Sequence, residues 1–148
     1  MPFRTDNGGM ALNIQDAKIS AGCSGSLWTT RLSQIAKVKG KIIIVTYSLP
    51  SLEDIKNILT KQPENVALVY HEKFNHKASA IRIYCPLIDL YPMPDCHAKI
   101  VLVEPKTVWL SSANFGKSKW FENTIGIHSR EAYDYYYKKI CEYVGKQL

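Results

Sequence analysis

The sequence predicts an α/β fold in which a mixed, mostly parallel β-sheet is flanked by helices on both faces. The first half of the chain alternates short runs of β-branched apolar residues with segments of helical periodicity, an order that is typical of βαβ units. The 148 residues are 46% hydrophobic and 22% charged, which is enough apolar material for a real core. We expect residues 1–16 to be a polar lead-in and residues 17–148 to form a single domain.

The elements of the first half follow from apolar periodicity. A helix is expected before Gly40, with four apolar residues on one face: Leu27, Leu32, Ile35 and Ala36. The β-branched run 41–47 indicates a buried strand, and Pro50 opens a second helix. The run 65–70 predicts another buried strand, and residues 72–80 are expected to form a short helix.

The second half is predicted to contain more strands and one long helix. Residues 80–85 indicate a third strand, and the segment 85–96 contains three prolines and is expected to be a loop. A hairpin over 97–114 and a strand over 123–128 follow. The chain after residue 128 has helical periodicity, with one apolar stripe that consists of Ala132, Tyr136, Ile140 and Val144.

Charge and cysteine content narrow the class of protein. The chain has 19 Lys and Arg against 13 Asp and Glu, a net charge of +6, which favours an anionic partner such as nucleic acid, although such an excess also occurs on ordinary solvated surfaces. The four cysteines form no Cys-x-x-Cys pair, and neither a signal peptide nor a membrane-spanning run is visible. We expect a cytoplasmic protein with reduced thiols and no stable membrane association.

The predicted hairpin gathers polar residues at the end far from its turn. Because strand side chains alternate, His97 and Lys99 share one face, and Ser112 and Asn114 share a face on the return strand. With a turn at 105–106, His97 lies opposite Asn114 and Lys99 lies opposite Ser112. The Cβ atoms of each pair would then be about 5 Å apart.

Such a patch suits a phosphodiester. Lysine supplies a positive charge with three donors, and serine and asparagine add directed donors for the non-bridging oxygens. These groups would stabilise the additional negative charge of a pentacovalent transition state. A neutral imidazole, with an ordinary pKa of about 6.5, is available as a nucleophile at neutral pH.

The same residues resemble a known motif. The pattern H-x-K, four residues, an acid, six residues and then small-Ser-x-Asn resembles the HKD motif of the phospholipase D superfamily. It is formed here by His97, Lys99, Glu104, Ser111, Ser112 and Asn114. From about residue 24 onward the chain is similar to the short, single-motif bacterial endonucleases of that superfamily. Two positions depart from the pattern, since Glu104 replaces the usual Asp and Ser111 replaces the usual Gly.

The resemblance implies a mechanism and a set of site residues. His97 would attack phosphorus and form a covalent phosphohistidine, while Lys99, Asn114 and Ser112 would hold the phosphoryl oxygens. Glu122 would accept a hydrogen bond from the other imidazole nitrogen and fix the tautomer. Glu104 is expected to be structural. No metal or other cofactor is implied.

Substrate contacts are expected on both sides of the motif. Tyr47 and Ser48, at the end of the first buried strand, are expected to bind substrate. Lys117, Lys119 and Trp120 lie just after the motif, where they either contact the substrate backbone or belong to a solvated loop.

Attack by one histidine requires a second group to protonate the leaving oxygen. The family supplies a second His from a second motif. His71-x-Lys73 has the right spacing, but Ala78 occupies the acid position and no Ser-x-Asn follows. The chain is half the size of two-motif enzymes, so we expect a homodimer whose two His97 side chains meet across a two-fold axis.

Three alternatives remain open. A phospholipid phosphodiesterase or transphosphatidylase is allowed by the apolar segment 85–96. A nucleic-acid-binding module of the same fold with little activity is allowed by Glu104 and Ser111. A zinc site at Cys85, Cys96 and His97 lacks a fourth ligand and a usual spacing.

Overall fold

The computed structural model describes residues 9–23, 40–59 and 65–148, and these contain a sheet of seven strands. The strands are β1 (Ala17–Gly22), β2 (Ile42–Val45), β3 (Val66–His71), β4 (Asp89–Met93), β5 (Ile100–Val103), β6 (Thr107–Ser111) and β7 (Glu122–His128). Their order across the sheet is β1-β7-β6-β5-β2-β3-β4.

The sheet is mixed, as predicted, but parallel pairs do not predominate. β3 pairs in parallel with both β2 and β4, whereas the other four pairings in the described part of the chain are antiparallel. The expectation of a mostly parallel sheet is therefore wrong. The βαβ arrangement extends only from β2 to β4, and the chain from β5 onward turns back on itself through hairpins.

Helices cover both faces, which confirms that part of the prediction. The helices of the described ranges are α1 (Leu52–Leu59), α2 (Asn75–Tyr84) and α3 (Arg130–Val144), and a 3-10 turn covers Glu72–Phe74. Ile42 and Ile44 of β2 pack in the same core as α1 and α2, whereas Ile43 and Val45 pack with α3. Strand alternation thus divides the core into two layers. None of the helices seen in residues 9–23, 40–59 and 65–148 is both long and apolar enough to cross a membrane.

The long helix α3 has the predicted stripe. Ala132 and Ile140 are buried, and Tyr136 and Val144 pack against the same core. The Ser129 hydroxyl caps the helix by accepting from the Ala132 amide at 3.1 Å, and Gly145 ends it with a φ of 83°. The helix predicted before Gly40 lies outside the described residues.

Two predictions for residues 80–96 are wrong. Residues 80–84 of the expected strand form the second half of α2, in which Ala78 and Ile81 are buried at helical spacing, and Cys85 caps that helix. The expected loop contains the edge strand β4, which has a neighbour on one side only and so tolerates Pro92. Strand β1 was not predicted, and it pairs with β7 over the whole of its length.

The hairpin of β5 and β6 has a different register from the predicted one. Ile100 pairs with Leu110 and Val103 pairs with Thr107, so the turn contains three residues, 104–106, and not two. An odd-numbered turn shifts every pair by one residue. The predicted pairs of His97 with Asn114 and of Lys99 with Ser112 are therefore wrong, and Lys99 lies opposite Ser111 instead, where its carbonyl accepts from the Ser111 amide at 3.2 Å.

Candidate active site

The candidate site lies at the end of the sheet where three neighbouring strands, β2, β3 and β5, begin or finish. β2 runs parallel to β3 and antiparallel to β5, so the carboxyl ends of β2 and β3 meet the amino end of β5 there. The side chain of His97, three residues before β5, is exposed. Its Nδ1 atom is 3.1 Å from the Lys99 ammonium, which also donates to the His97 carbonyl at 2.9 Å. The two residues that begin the motif are therefore in contact.

Asn114 is oriented by the backbone that follows β2. Its Oδ1 atom accepts from the Tyr47 amide at 3.1 Å and from the Ser48 amide at 3.4 Å. The completely buried Thr46 hydroxyl is 3.3 Å from the same oxygen and accepts from the Phe115 amide at 3.0 Å. With the carboxamide oxygen held in this way, the Nδ2 hydrogens are the donors that Asn114 could direct at an anion.

Ser112 and Glu122 form a second polar pair. The Ser112 hydroxyl donates to Oε2 of Glu122 at 3.1 Å and accepts from the Asn123 amide at 3.0 Å. Ser112 follows the last residue of β6, and Glu122 is the first residue of β7. Adjacent strand ends therefore bring together two predicted site residues that are ten positions apart in the sequence.

A groove of about 680 Å³ opens beside this pair. Several predicted site residues line it: Ser48, Ser112, Asn114, Lys117, Lys119, Trp120 and Glu122. The Trp120 side chain is 79% exposed, an unusual position for so large an apolar group. The groove thus places two lysines and an indole next to the polar pair.

The site has two parts. His97 and Lys99 do not line the groove, and His97 instead borders a cavity of about 420 Å³ whose walls include Asp95, Tyr135 and Tyr143. Tyr47 connects the parts, because its amide binds Asn114 and its ring centroid is 5.0 Å from that of His97. In this conformation Glu122 is hydrogen-bonded to Ser112. Its expected role, to accept a hydrogen bond from the His97 imidazole, therefore stays a prediction.

The two residues that depart from the usual motif, Glu104 and Ser111, lie at different places in the fold. Glu104 is at the far end of β5, where its Oε2 accepts from the Lys41 amide at 2.9 Å. This contact joins the end of β5 to the chain just before β2, which fits a structural role. The Ser111 hydroxyl is 2.8 Å from that of Thr124 and accepts from the Ala113 amide at 3.0 Å. Ser111 therefore shapes the turn from β6 into the motif's last residues.

The cysteines near the site are not placed for chemistry with His97. Cys85 and Cys96 belong to the two different core layers, on opposite faces of the sheet, which separates the ligands of the zinc alternative. Burial raises the pKa of the Cys96 thiol to about 11, and the thiol donates to the Thr46 carbonyl at 3.5 Å. Cys96 is thus a neutral thiol at neutral pH.

Thr46 is the site residue that sequence reasoning missed. It contacts Asn114, Phe115 and Cys96 from the end of β2. The available signal was a polar residue that closes an otherwise apolar run, since a buried hydroxyl requires partners. That signal identifies a constrained position without naming the partners.

Comparisons with known proteins identify the fold. Neither the protein-family models nor the curated proteins contain a match to this sequence. Among solved structures, the phospholipase D family member Nuc from Salmonella typhimurium matches with a TM-score of 0.75 and 21% identity, covering 90% of this chain and 96% of Nuc. NucT from Helicobacter pylori matches with a TM-score of 0.65 and 17% identity, covering 86% of this chain and 98% of NucT.

A larger protein has the same fold over part of its length. The phosphatidylserine synthase of Haemophilus influenzae Rd KW20 matches with a TM-score of 0.66 and 14% identity, covering 88% of this chain and 38% of the synthase. These similarities confirm that the chain has the phospholipase D fold.

Proposed function

We propose that this protein is a metal-independent nuclease that hydrolyses phosphodiester bonds of DNA or RNA through a covalent phosphohistidine at His97. The observation that carries the proposal is the 3.1 Å contact between the exposed His97 imidazole and the Lys99 ammonium, at the sheet edge where Asn114 is also held. The resemblance to the HKD motif and the phospholipase D fold support the same chemistry.

The contact between His97 and Lys99 also specifies a proton position. An ammonium group only donates, so Nδ1 accepts and a neutral imidazole carries its proton on Nε2. Attack on phosphorus requires a lone pair on Nε2. We infer that an entering phosphate draws the Lys99 ammonium from Nδ1 to a phosphoryl oxygen. The imidazole then loses its proton from Nε2 and gains one on Nδ1 by exchange with solvent. Glu122 would then accept from Nδ1–H and keep Nε2 nucleophilic.

The reaction proceeds in two displacements. Nε2 of His97 forms a bond to phosphorus while the bond to the leaving oxygen breaks, and an acid gives that oxygen a proton. Water then attacks the phosphohistidine and gives a proton to the group that acted as the acid, now its conjugate base, while the bond from phosphorus to the imidazole breaks. Lys99, Asn114 and Ser112 stabilise the negative charge that develops on the phosphoryl oxygens.

The acid comes from a second copy of the chain. One nucleophilic imidazole cannot also protonate the leaving oxygen in the same step, and His97 is exposed, so the His97 of another subunit can approach it. A homodimer with a two-fold axis near His97 would place one imidazole on each side of the phosphate. The active site would thus be formed by both subunits.

The groove favours a polynucleotide over a lipid. Lys117 and Lys119 can contact phosphates that flank the scissile bond, and the exposed Trp120 ring can stack on a base. The net charge of +6 adds a general attraction for the polyanion.

Cleavage in the presence of excess EDTA tests the reaction class. The protein is incubated with labelled DNA, RNA and phospholipid vesicles, and we expect nucleic-acid cleavage that persists with the chelator. A nucleotidyl or phosphoryl adduct, trapped by rapid quenching, should appear on the peptide that contains His97 and should be missing from the His97→Asn variant. Release of lipid head groups alone, or DNA binding without cleavage that is unchanged by His97→Ala, would contradict the proposal.

Subunit mixing tests the shared site. Wild-type protein is exchanged with an equal amount of His97→Asn protein, and light scattering follows the dimer. If both His97 side chains are required, only the wild-type homodimers of the mixture are active, and about a quarter of the activity of the same amount of all-wild-type dimer should remain. Independent subunits would keep about half. A fully active protein that stays monomeric would rule out the shared site.

A further inference from the structure

A second H-x-K segment lies at the same sheet edge as the first. His71 is the last residue of β3, and Lys73 lies in the 3-10 turn that follows. The His71 amide donates to the Tyr47 carbonyl at 3.2 Å, which fixes this segment to the chain after β2. The segment lacks the rest of the motif, yet the fold places it next to the candidate active site.

The ring of Tyr47 contacts both segments. Its centroid is 5.0 Å from that of His97 and 5.3 Å from that of His71, and Phe74 packs edge-on against the same ring at 5.3 Å. His97 and His71 are therefore separated by a single aromatic side chain. A ligand longer than one phosphodiester at His97 would extend over this surface.

The second segment presents groups that bind anions. Nδ1 of His71 accepts from the Lys73 amide at 3.1 Å, so the neutral ring carries its proton on Nε2 as a donor. The Lys73 ammonium lies over the Tyr47 ring at 4.7 Å, and the Lys77 ammonium lies 5.9 Å from the Phe74 ring centroid. The salt bridges found within residues 9–23, 40–59 and 65–148 involve neither lysine. The aromatic rings thus hold these cations without neutralising them.

We propose that His71, Lys73 and Lys77 form a subsite for a phosphate that neighbours the scissile phosphate in a polynucleotide. The inference rests on the proposed function and extends it, since it names a second place where the nucleic-acid backbone is held. A substrate with a single phosphodiester cannot occupy both places at once. The subsite therefore favours chains of several nucleotides over substrates with one phosphodiester.

Substrate length and salt test the subsite. The double variant Lys73→Gln, Lys77→Gln is compared with wild type on an oligonucleotide of several phosphates and on bis(p-nitrophenyl) phosphate, at 50 and 200 mM salt. We expect the loss of kcat/KM to be about tenfold greater on the oligonucleotide, mostly through KM, and the salt slope for a single strand to fall by about 0.7, the value for one phosphate. His71→Gln should change the same ratio in the same direction by a smaller factor.

A matched control removes the same charge elsewhere. Lys106 lies in the hairpin turn at the opposite end of β5 from His97, and Lys138 is exposed on α3. The variant Lys106→Gln, Lys138→Gln should alter both substrates alike. Equal losses on the two substrates for the Lys73 and Lys77 variant, or losses that match the control, would overturn the subsite.

Binding separates this proposal from the nuclease proposal. If no protein cleaves any substrate, the proposed function fails, but the anisotropy of a labelled oligonucleotide still reports binding by the whole chain. A salt slope that falls by about 0.7 in the Lys73 and Lys77 variant alone would support the subsite. An unchanged slope would refute it.

Discussion

The chain contains two H-x-K segments, His97-x-Lys99 and His71-x-Lys73, and they differ in what the lysine does. In the first, the Lys99 side chain contacts Nδ1 of the histidine at 3.1 Å. In the second, the Lys73 backbone amide makes that contact at 3.1 Å, and the ammonium lies over an aromatic ring. The same two residues at the same spacing therefore give two different arrangements.

The element after each histidine explains the difference. The chain after His97 leads into β5 within three residues, and the Lys99 side chain turns back to contact both the imidazole and the carbonyl of His97. The chain after His71 turns at once into a 3-10 helix, which brings the amide at i+2 back to the imidazole. Spacing alone does not determine the chemistry of a motif, because the following element decides which atoms meet.

The largest expected difference between the segments is in turnover. His97→Asn should lower kcat by a factor of about 10⁴ or more, because it removes the proposed nucleophile. His71→Asn should lower kcat/KM on an oligonucleotide by less than about tenfold, because it removes one donor of a binding subsite. Steady-state kinetics on the same substrate measures both, with circular dichroism as the folding control. Comparable losses would mean that both histidines take part in the chemistry.

A smaller effect is expected at the residue that joins the segments. Tyr47→Ala removes the ring between His97 and His71, so the free energy of unfolding should fall by about 2 kcal/mol and kcat/KM by about tenfold. Tyr47→Phe keeps the ring and should lose much less of both. Chemical denaturation and kinetics on the two variants provide the measurement. If Phe were as harmful as Ala, the hydroxyl and not the ring would connect the segments.

The smallest expected effect concerns the buried residue before His97. Burial raises the pKa of the Cys96 thiol from 9.0 to about 11, so the folded state favours the neutral thiol. That stabilisation is complete below pH 9 and is lost as the pH rises to about 11. Between these values wild type should lose about 1 kcal/mol more stability than Cys96→Ala, after allowance for solvent screening.

Thiol reactivity checks the same residue independently. At pH 8 iodoacetamide should modify the exposed Cys23 well before Cys96. Peptide mass spectrometry of the alkylated protein resolves the two sites. Rapid modification of Cys96 would show that the chain just before His97 opens readily, in contrast to its buried position here.

The sequence predicted the elements whose apolar patterns have one interpretation. β2, β3 and α3 were found where expected, because a β-branched run and a long helical stripe each have one good interpretation. Residues 80–85 have two possible interpretations. Ile81 and Ile83 are two positions apart, as in a strand, whereas Ala78 and Ile81 are three apart, as in a helix. In α2 the buried pair is Ala78 and Ile81, and Ile83 is 74% exposed. Tertiary packing decided between the two periods.

The sequence predicted which residues belong to the site but not how they are arranged. The motif named His97 and Lys99, and these are in contact, but the three-residue turn shifted the strand pairs by one. A single-residue change in turn length cannot be read from composition, because Pro105 fits turns of several lengths. Asn114 is placed by backbone amides some 66 to 67 positions earlier in the chain, a contact that no local pattern signals.

The buried Thr46 makes this assembly depend on distant parts of the chain. Its hydroxyl and carbonyl join the end of the interior strand β2 to Asn114, Phe115 and Cys96. A peptide excised from residues 97–114 would carry His97, Lys99, Ser112 and Asn114 in full, yet it would lack the amides that hold the carboxamide in place. The motif residues alone therefore do not rebuild the site. A scaffold that receives them must also provide the neighbouring strand.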